Sequence, residues 1–589
     1  MINKAFFSGI LLLLMMHTNA QSVKEYIKWN PANDSTKVLE GQGWTGEVNK
    51  FYDRLPSRAE KMVSEGIWKL AAQTAGLQVR FRTNANQITV RYTVGGNIQM
   101  PHMPATGVSG VDLYSKNIDG KWNWAAGRFS FGDTITYRFT NLVTNDQHVK
   151  NRDYTLYLPL YNTVKWMEIS VAKPSLFTPL PKRIDRPIVV YGTSIAQGAC
   201  ATRPGLAWSS ILSRKLDLPV INLGFSGSGR LDPPIVGLIG ELDAKLYILD
   251  CLPNLIAPGI SAEELYKRIV AAIGQLKTKN PTIPILLTEH DGYTDEEMNP
   301  TSKKQYTDAN KVLKIVFDSL TTAGVKNIFL LSKEDIRQDI ESMVDGVHPN
   351  DIGMMNYANA YEIKIREIFN MAVGKSSTTL PITQRRDANT YDWETRHKEI
   401  LKYNNTHSPQ LLFIGNSITH FWGGIPTSDV RNGSDSWNKY FEKKNAINLG
   451  FGWDRIENVL WRVYNGELDN IAPSQIVIMI GTNNLDFNSN NEIREGLQFL
   501  TKAISSKQPN AKILLMGILP RRNMEERISI LNKLISTIPF NKRIKYADAG
   551  KVLLKPSGKI DESLFSDGLH PNAAGYEKLG ASINIQIEK

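Results

Sequence analysis

The second half of this chain repeats the first at a nearly fixed spacing, and any fold proposed for it must be one that both halves can adopt. INLGFSGSG at 221–229 returns as INLGFGWDR at 447–455. VVYGTSI at 189–195 returns as LFIGNSI at 412–418, and DGVHPNDIG at 345–353 as DGLHPNAAG at 567–575. Ser194 and Ser417 lie 223 positions apart (417 − 194), and His348 and His570 lie 222 apart (570 − 348). One chance match of five letters would not keep such an offset at both ends of a domain, so the pattern reads as a duplicated unit.

Within each repeat, short apolar runs alternate with amphipathic stretches. RPIVVYG, PVINLGF, KLYILD, IPILLTE and KNIFLLS are followed by QLLFIGN, AINLGF, QIVIMIG, KILLMGIL and IKYADA. Buried parallel strands joined by crossover helices give this texture. Upstream the period is two: GLQVRFRT, QITVRYTV, SGVDLYSK, KWNWAAGRF, DTITYRFTN and RDYTLYLPLY read as strands between Asn, Asp and Gly turns. The expected fold class is therefore two α/β domains behind an antiparallel β-sandwich. The expected boundaries are 21–180 for the sandwich, 181–374 for the first α/β domain, 375–390 for a polar linker and 391–589 for the second.

A chain of 589 residues accommodates that many cores. Residues 1–20 read as a signal peptide, with Lys4 before AFFSGILLLLMM and a small residue, Ala20, at the cleavage point. A periplasmic or secreted location follows, with no membrane span. The net charge of +11 is spread along the chain without a Lys/Arg block, which argues against nucleic acid as a partner. For Cys200 and Cys251, the only two cysteines, two readings stand. Either they pair, giving a Cys200–Cys251 peptide under non-reducing conditions, or they are two buried thiols.

The chemistry sits at the ends of the repeated unit. Ser194 and Ser417 each follow a first strand, where ligands of open α/β sheets bind. Asp345 and His348, and then Asp567 and His570, close the two domains. A serine hydroxyl becomes a competent nucleophile when an imidazole takes its proton, and a carboxylate holds that imidazole in the right tautomer. Acyl transfer also requires donors for the developing oxyanion. Backbone N–H groups after NLGF and the side chain of Asn483 in IGTNN are candidates.

These blocks, in this order, resemble the SGNH (GDSL-type) hydrolases. The second copy, with FIGNSI, INLGFGWDRIENVLWR, NGELDNIAP, IGTNN and GILPR, is similar to the catalytic subunits of platelet-activating-factor acetylhydrolase. The resemblance implies a flavodoxin-like three-layer fold and ester hydrolysis through an acyl-serine, with no metal and no cofactor. It implies Ser194 and Ser417 as nucleophiles, His348 and His570 as bases, and Asp345 and Asp567 as their orienting carboxylates. It places Gly227 at the first oxyanion hole. In the second, Trp453 takes that place just after Gly452, its bulk either shaping an acyl pocket or blocking it. ILDCLPN replaces Gly-x-Asn in the first copy, so Asn254 is the donor candidate there, two places late. A Cys200–Cys251 bridge would brace two loops of the first site.

Glu289 and His290 are expected on the rim of the first site, and Trp422 against a sugar ring in the second. Whether His102 and Asp112 of the β-domain approach the first site is left open. The expected substrate is an acetylated carbohydrate or other small ester. A lipase or lysophospholipase of the same fold, and a glycan-binding protein with one or both α/β domains inactive, are the alternatives.

Overall fold

The computed structural model describes residues 25–117, 121–143, 151–256, 259–384 and 391–588. The signal-peptide segment lies outside them. Among the described residues, no helix is long and apolar enough to cross a membrane.

The β-domain is a pair of antiparallel sheets. One runs in the order Tyr26–Trp29, Val164–Ala172, Gln87–Val94, Ile135–Thr140 and Arg128–Ser130. The other runs Phe177–Leu180, Gln78–Thr83, Arg152–Tyr157, Asp112–Lys116 and Trp122–Ala125, with Leu39–Glu40 beside Gln78–Thr83. Alternate side chains such as Ile88, Val90 and Tyr92 enter the core between them, as period-two strands require. The stretch KWNWAAGRF is two strands, Trp122–Ala125 and Arg128–Ser130, which pair in different sheets.

Each α/β domain is a five-stranded parallel sheet with strand order 2-1-3-4-5, the flavodoxin-like order. The first contains Ile188–Gly192, Val220–Gly224, Leu246–Asp250, Ile285–Thr288 and Ile328–Leu331. The second contains Leu411–Gly415, Ala446–Gly450, Gln475–Met479, Lys512–Met516 and Ile544–Ala547. Helices cover both faces, so the strands are apolar on both sides. Ile188 and Val190 face one core, Val189 and Tyr191 the other. The first of these cores continues into the second domain, reaching Leu412 and Ile414.

The repeated INLG has a clear physical cause. Ser194–Gln197 and Ser417–His420 are four-residue helices that lie across the end of the second strand. Asn222 Nδ2 donates to Ala196 O at 2.7 Å while its Oδ1 accepts from Gly224 N at 2.8 Å. Asn448 repeats this with Thr419 O and Gly450 N at the same two distances. The glycines are needed because a Cβ at Gly224 or Gly450 would collide with the backbone N of Gln197 or His420.

Cys200 and Cys251 are free and buried. Cys200 packs in the core on one face of the first sheet and Cys251 in the core on the other. The sheet stands between them, and the structure corrects the bridged reading. Burial pushes the Cys200 thiol up to about 12.

The segment read as a linker is not free chain. Thr378, Thr379, Thr383 and Gln384 are buried. Thr383 N donates to Asp217 Oδ2 at 2.8 Å, and Lys116 of the β-domain reaches the same carboxylate at 2.5 Å. Residues 385–390 lie outside the described set.

Asn222→Leu and Asn448→Leu should each destabilise their domain by about 2–4 kcal/mol, because a buried N–H and a buried carbonyl lose their partner together. Urea unfolding followed by fluorescence tests this; a midpoint unchanged in both variants would contradict it. Denatured protein should yield two alkylated cysteines without reductant.

Candidate active sites

The parallel strands deliver both serines to the carboxyl end of their sheets, and the closing loops bring the histidines to them. Ser194 Oγ lies 2.8 Å from His348 Nε2, and Ser417 Oγ lies 2.8 Å from His570 Nε2. His348 Nδ1 is 2.7 Å from Asp345 Oδ2 and His570 Nδ1 is 2.7 Å from Asp567 Oδ2. The other carboxylate oxygen accepts from the histidine's own backbone N–H, at 2.8 Å in the first site and 2.7 Å in the second. The three-residue spacing lets one carboxylate hold both the ring and the backbone of its histidine. Burial pulls the Asp345 and Asp567 carboxyls up, but the hydrogen bonds from their histidines outweigh it, and both stay below the ordinary aspartate value.

The oxyanion candidates fall in the loops that follow the second and third strands of each sheet, at the same carboxyl end as the serines. Gly227 and Trp453 share one backbone conformation, with φ of 67° and 66°. That left-handed geometry suits glycine and costs a side chain about 1 kcal/mol or more. Asn254 is corrected from two places late to in register. It follows the last strand residue Asp250 by four positions, as Asn483 follows Met479 by four (254 − 250; 483 − 479). Leu-Pro-Asn therefore stands where Gly-Thr-Asn stands in the second copy. The Asn254 amide oxygen meets Ser228 N and Gly229 N at 3.1 Å each, and Asn483 Nδ2 donates to Asp454 O at 2.9 Å. Both side chains thus reach the same loop. Each serine opens a short helix, whose first N–H groups lack intrahelical acceptors and add a donor that sequence reading missed.

Gly452 is a brace, not an oxyanion donor. Its N–H goes to His420 Nδ1 at 3.2 Å, and its carbonyl accepts from Tyr391 OH at 2.6 Å and Gln384 Nε2 at 2.9 Å. Burial drives the His420 imidazole down to about 2, so it is a neutral acceptor. In the first domain Gln197, at the same place after the serine, accepts from Ser226 N at 3.0 Å and is held in turn by Gln73 and Leu160 of the β-domain. Arg54 and Arg396 form a second matched pair. Arg54 donates to Asn222 O and Gly224 O at 3.0 and 2.9 Å, Arg396 to Asn448 O and Gly450 O at 3.0 and 2.7 Å. These are carbonyls of an edge strand that, among the described residues, no further strand covers.

The substrate-binding expectations for His290 and Trp422 are corrected. His290 is buried beneath the surface, stacked near Tyr293 and Tyr306, with Nδ1 accepting from Gly292 N at 2.9 Å. Burial takes its imidazole down to about 3. Glu289 is half-buried and accepts from Lys333 N at 3.0 Å, capping a short helix. Trp422 is fully buried in an aromatic core, its indole donating to Ser436 Oγ at 2.9 Å. His102 does reach the first site, its ring centroid 6.0 Å from that of His348. In the second site the Phe421 ring lies 5.3 Å from that of His570. Asp112 does not reach the serine. It accepts from Arg203 Nη1 at 3.0 Å and Gly205 N at 2.8 Å, in the loop after the nucleophile helix.

A nucleophile, base and carboxylate in line at that end of a parallel sheet are the geometry of a serine hydrolase. Comparison with known proteins narrows the class. Residues 185–366 and 413–578 each match a model of the GDSL-like lipase/acylhydrolase family. Residues 27–177 match the N-terminus of Esterase_SGNH_hydro-type proteins, in a model named for the Gly-x-Asp-Leu-Tyr run that stands here at 110–114. The chain is a carboxylic ester hydrolase with two domains of the GDSL-like family in tandem. The second resembles platelet-activating factor acetylhydrolase IB. The human alpha2 subunit is 29% identical over 192 residues, 32% of this chain and 80% of that protein. The human alpha1 subunit is 26% identical over 189 residues, 31% of this chain and 78% of its own length. Among solved structures, a protein described as a GDSL-like lipase from Bacteroides ovatus is 29% identical, with a TM-score of 0.54. The match covers 59% of this chain and 98% of that one.

Tyr391→Phe and Gln384→Leu release the Gly452 carbonyl. In a Ser194→Ala background the pair together should lower kcat on a p-nitrophenyl ester by about tenfold with KM little moved, one oxyanion donor being worth more than that. An unchanged kcat would show that the clamp does not bear on the loop.

Proposed function

We propose that both domains remove short acyl groups, acetate above all, from O-acetylated polysaccharide outside the cytoplasm. The observation that carries the catalytic part is the pair of unbroken Ser–His–Asp chains, 2.8 and 2.7 Å at each link in both domains. The acetyl preference is supported by the likeness to the acetylhydrolase subunits. The carbohydrate preference is supported by the expected signal peptide and by the β-domain reaching the first site, where the His102 ring lies 6.0 Å from that of His348.

In each site the Ser194 or Ser417 oxygen attacks the ester carbonyl as His348 or His570 Nε2 takes its proton. Asp345 or Asp567 holds the other ring nitrogen and stabilises the imidazolium. The carbonyl oxygen becomes an oxyanion facing the serine N–H, the Gly227 or Trp453 N–H, and the Asn254 or Asn483 amide. Collapse breaks the bond to the alcohol, which leaves with the proton from the imidazolium. Water, deprotonated by the same histidine, then attacks the acyl-serine and releases the acid.

Hydrolysis of p-nitrophenyl acetate by the intact chain, Ser194→Ala, Ser417→Ala and the double variant tests this. Each single variant should keep the other site's rate, and the double should fall by about a thousandfold or more. A single variant as inactive as the double would reduce the enzyme to one site; an active double would remove the proposed nucleophiles. Intact mass after a fluorophosphonate should show two additions to the parent chain and one to each single variant.

A further inference from the structure

The two sites share their Ser–His–Asp geometry, but their oxyanion loops differ throughout, Ser226-Gly227-Ser228-Gly229 in the first against Gly452-Trp453-Asp454-Arg455 in the second. Gly227 and Trp453 have the same left-handed backbone, yet one is glycine and the other carries the largest side chain available. Gly227 is exposed and a Cβ built on it meets nothing within 4 Å, so the first loop leaves that position open. In the second domain an indole is rooted at that place. Trp453 is 42% exposed, in a conformation that disfavours side chains. Such backbone outliers gather where function requires them.

The direction of its effect follows from the attacked carbonyl. The leaving alcohol departs toward His570, which protonates it, and the flank there belongs to Phe421. With the oxyanion received at the Trp453 N–H, as the proposed mechanism has it, a side chain rooted on that residue's Cα stands next to the substituent not directed at His570, the acyl group. The loop cannot swing the indole aside freely, because the preceding Gly452 is bonded through its N–H to His420 and through its carbonyl to Tyr391 and Gln384.

We infer that Trp453 sets the acyl length of the second site, confining it to acetyl-sized groups, while Gly227 leaves the first site open to longer acyl chains, so that one chain carries two esterases of different acyl range. This rests on the reading of both domains as active hydrolases.

The experiment measures kcat/KM for p-nitrophenyl acetate, butyrate and octanoate on the full chain. Ser194→Ala isolates the second site and Ser417→Ala the first. The octanoate-to-acetate ratio should be lower for the second site. Trp453→Gly added to Ser194→Ala should raise that ratio about tenfold or more, and Gly227→Trp added to Ser417→Ala should lower it by a similar factor. A gain of octanoate activity cannot arise from misfolding, and Trp453→Gly places glycine where the backbone favours it. Ratios that move less than about twofold in both variants, with acetate still hydrolysed, overturn the inference and leave the hydrolase reading standing. Absence of ester hydrolysis by the parent chain overturns both.

Discussion

Both sites depend on one asparagine side chain that ties a four-residue helix to the end of a strand. Asn222 and Asn448 each donate to a carbonyl of the serine's helix and accept from the glycine two residues ahead. A helix of one turn has no stability of its own, since nucleation fixes many dihedrals for a single hydrogen bond. Without the asparagine bond and the contact that glycine permits, the serine would sit on a mobile turn. With them, its hydroxyl is held where the closing loop can set an imidazole 2.8 Å away.

Neither α/β unit completes its site alone. The oxyanion loop is propped through the third residue after the serine, Gln197 or His420, and that residue is supported from outside the repeated sequence. In the first domain the support is Gln73 and Leu160 of the β-domain. In the second the His420 ring lies against Tyr391, 4.6 Å away, and the loop itself is held by Tyr391 and Gln384. The paired arginines follow the same rule. Arg54 comes from the N-terminal domain and Arg396 from the helix before the second sheet, and both satisfy edge-strand carbonyls. Burial pulls these guanidinium groups down to about 9 and about 10, and buried carbonyls of this kind need such partners. Thr383 and Gln384 join the two supports, one residue facing Asp217 of the first domain and the next facing the loop of the second.

The surroundings then make two sites from one plan. The β-domain brings His102 beside the base of the first, whereas the base of the second has Phe421 of its own domain beside it. The loops after the second strand differ too, with Gly227 in the first and Trp453 in the second. The geometry common to the two sites is set by short-range contacts within each sheet, while what surrounds the two triads differs.

The sequence by itself determined the duplication, the parallel sheets, the antiparallel domain before them and the six residues that now stand as two Ser–His–Asp sets. These were legible because strand burial leaves apolar runs, and because a serine, an Asx–Gly pair and an Asp-x-x-His must recur wherever the same turn recurs. It did not determine which side chains touch across domains. Arg54 and Arg396 do the same work from unrelated offsets, and nothing local marks either. His290 and Trp422 were misplaced at the surface because a polar ring or an indole near a strand end looks the same whether its environment is solvent or a stack of aromatics. Asn254 looked displaced because letters were counted from a missing glycine, whereas the sheet counts from the last paired residue. Cys200 and Cys251 looked close because both lie in loops near the serine's end of the sheet; only the fold puts one in the core on each face, and that separation is not written in the spacing.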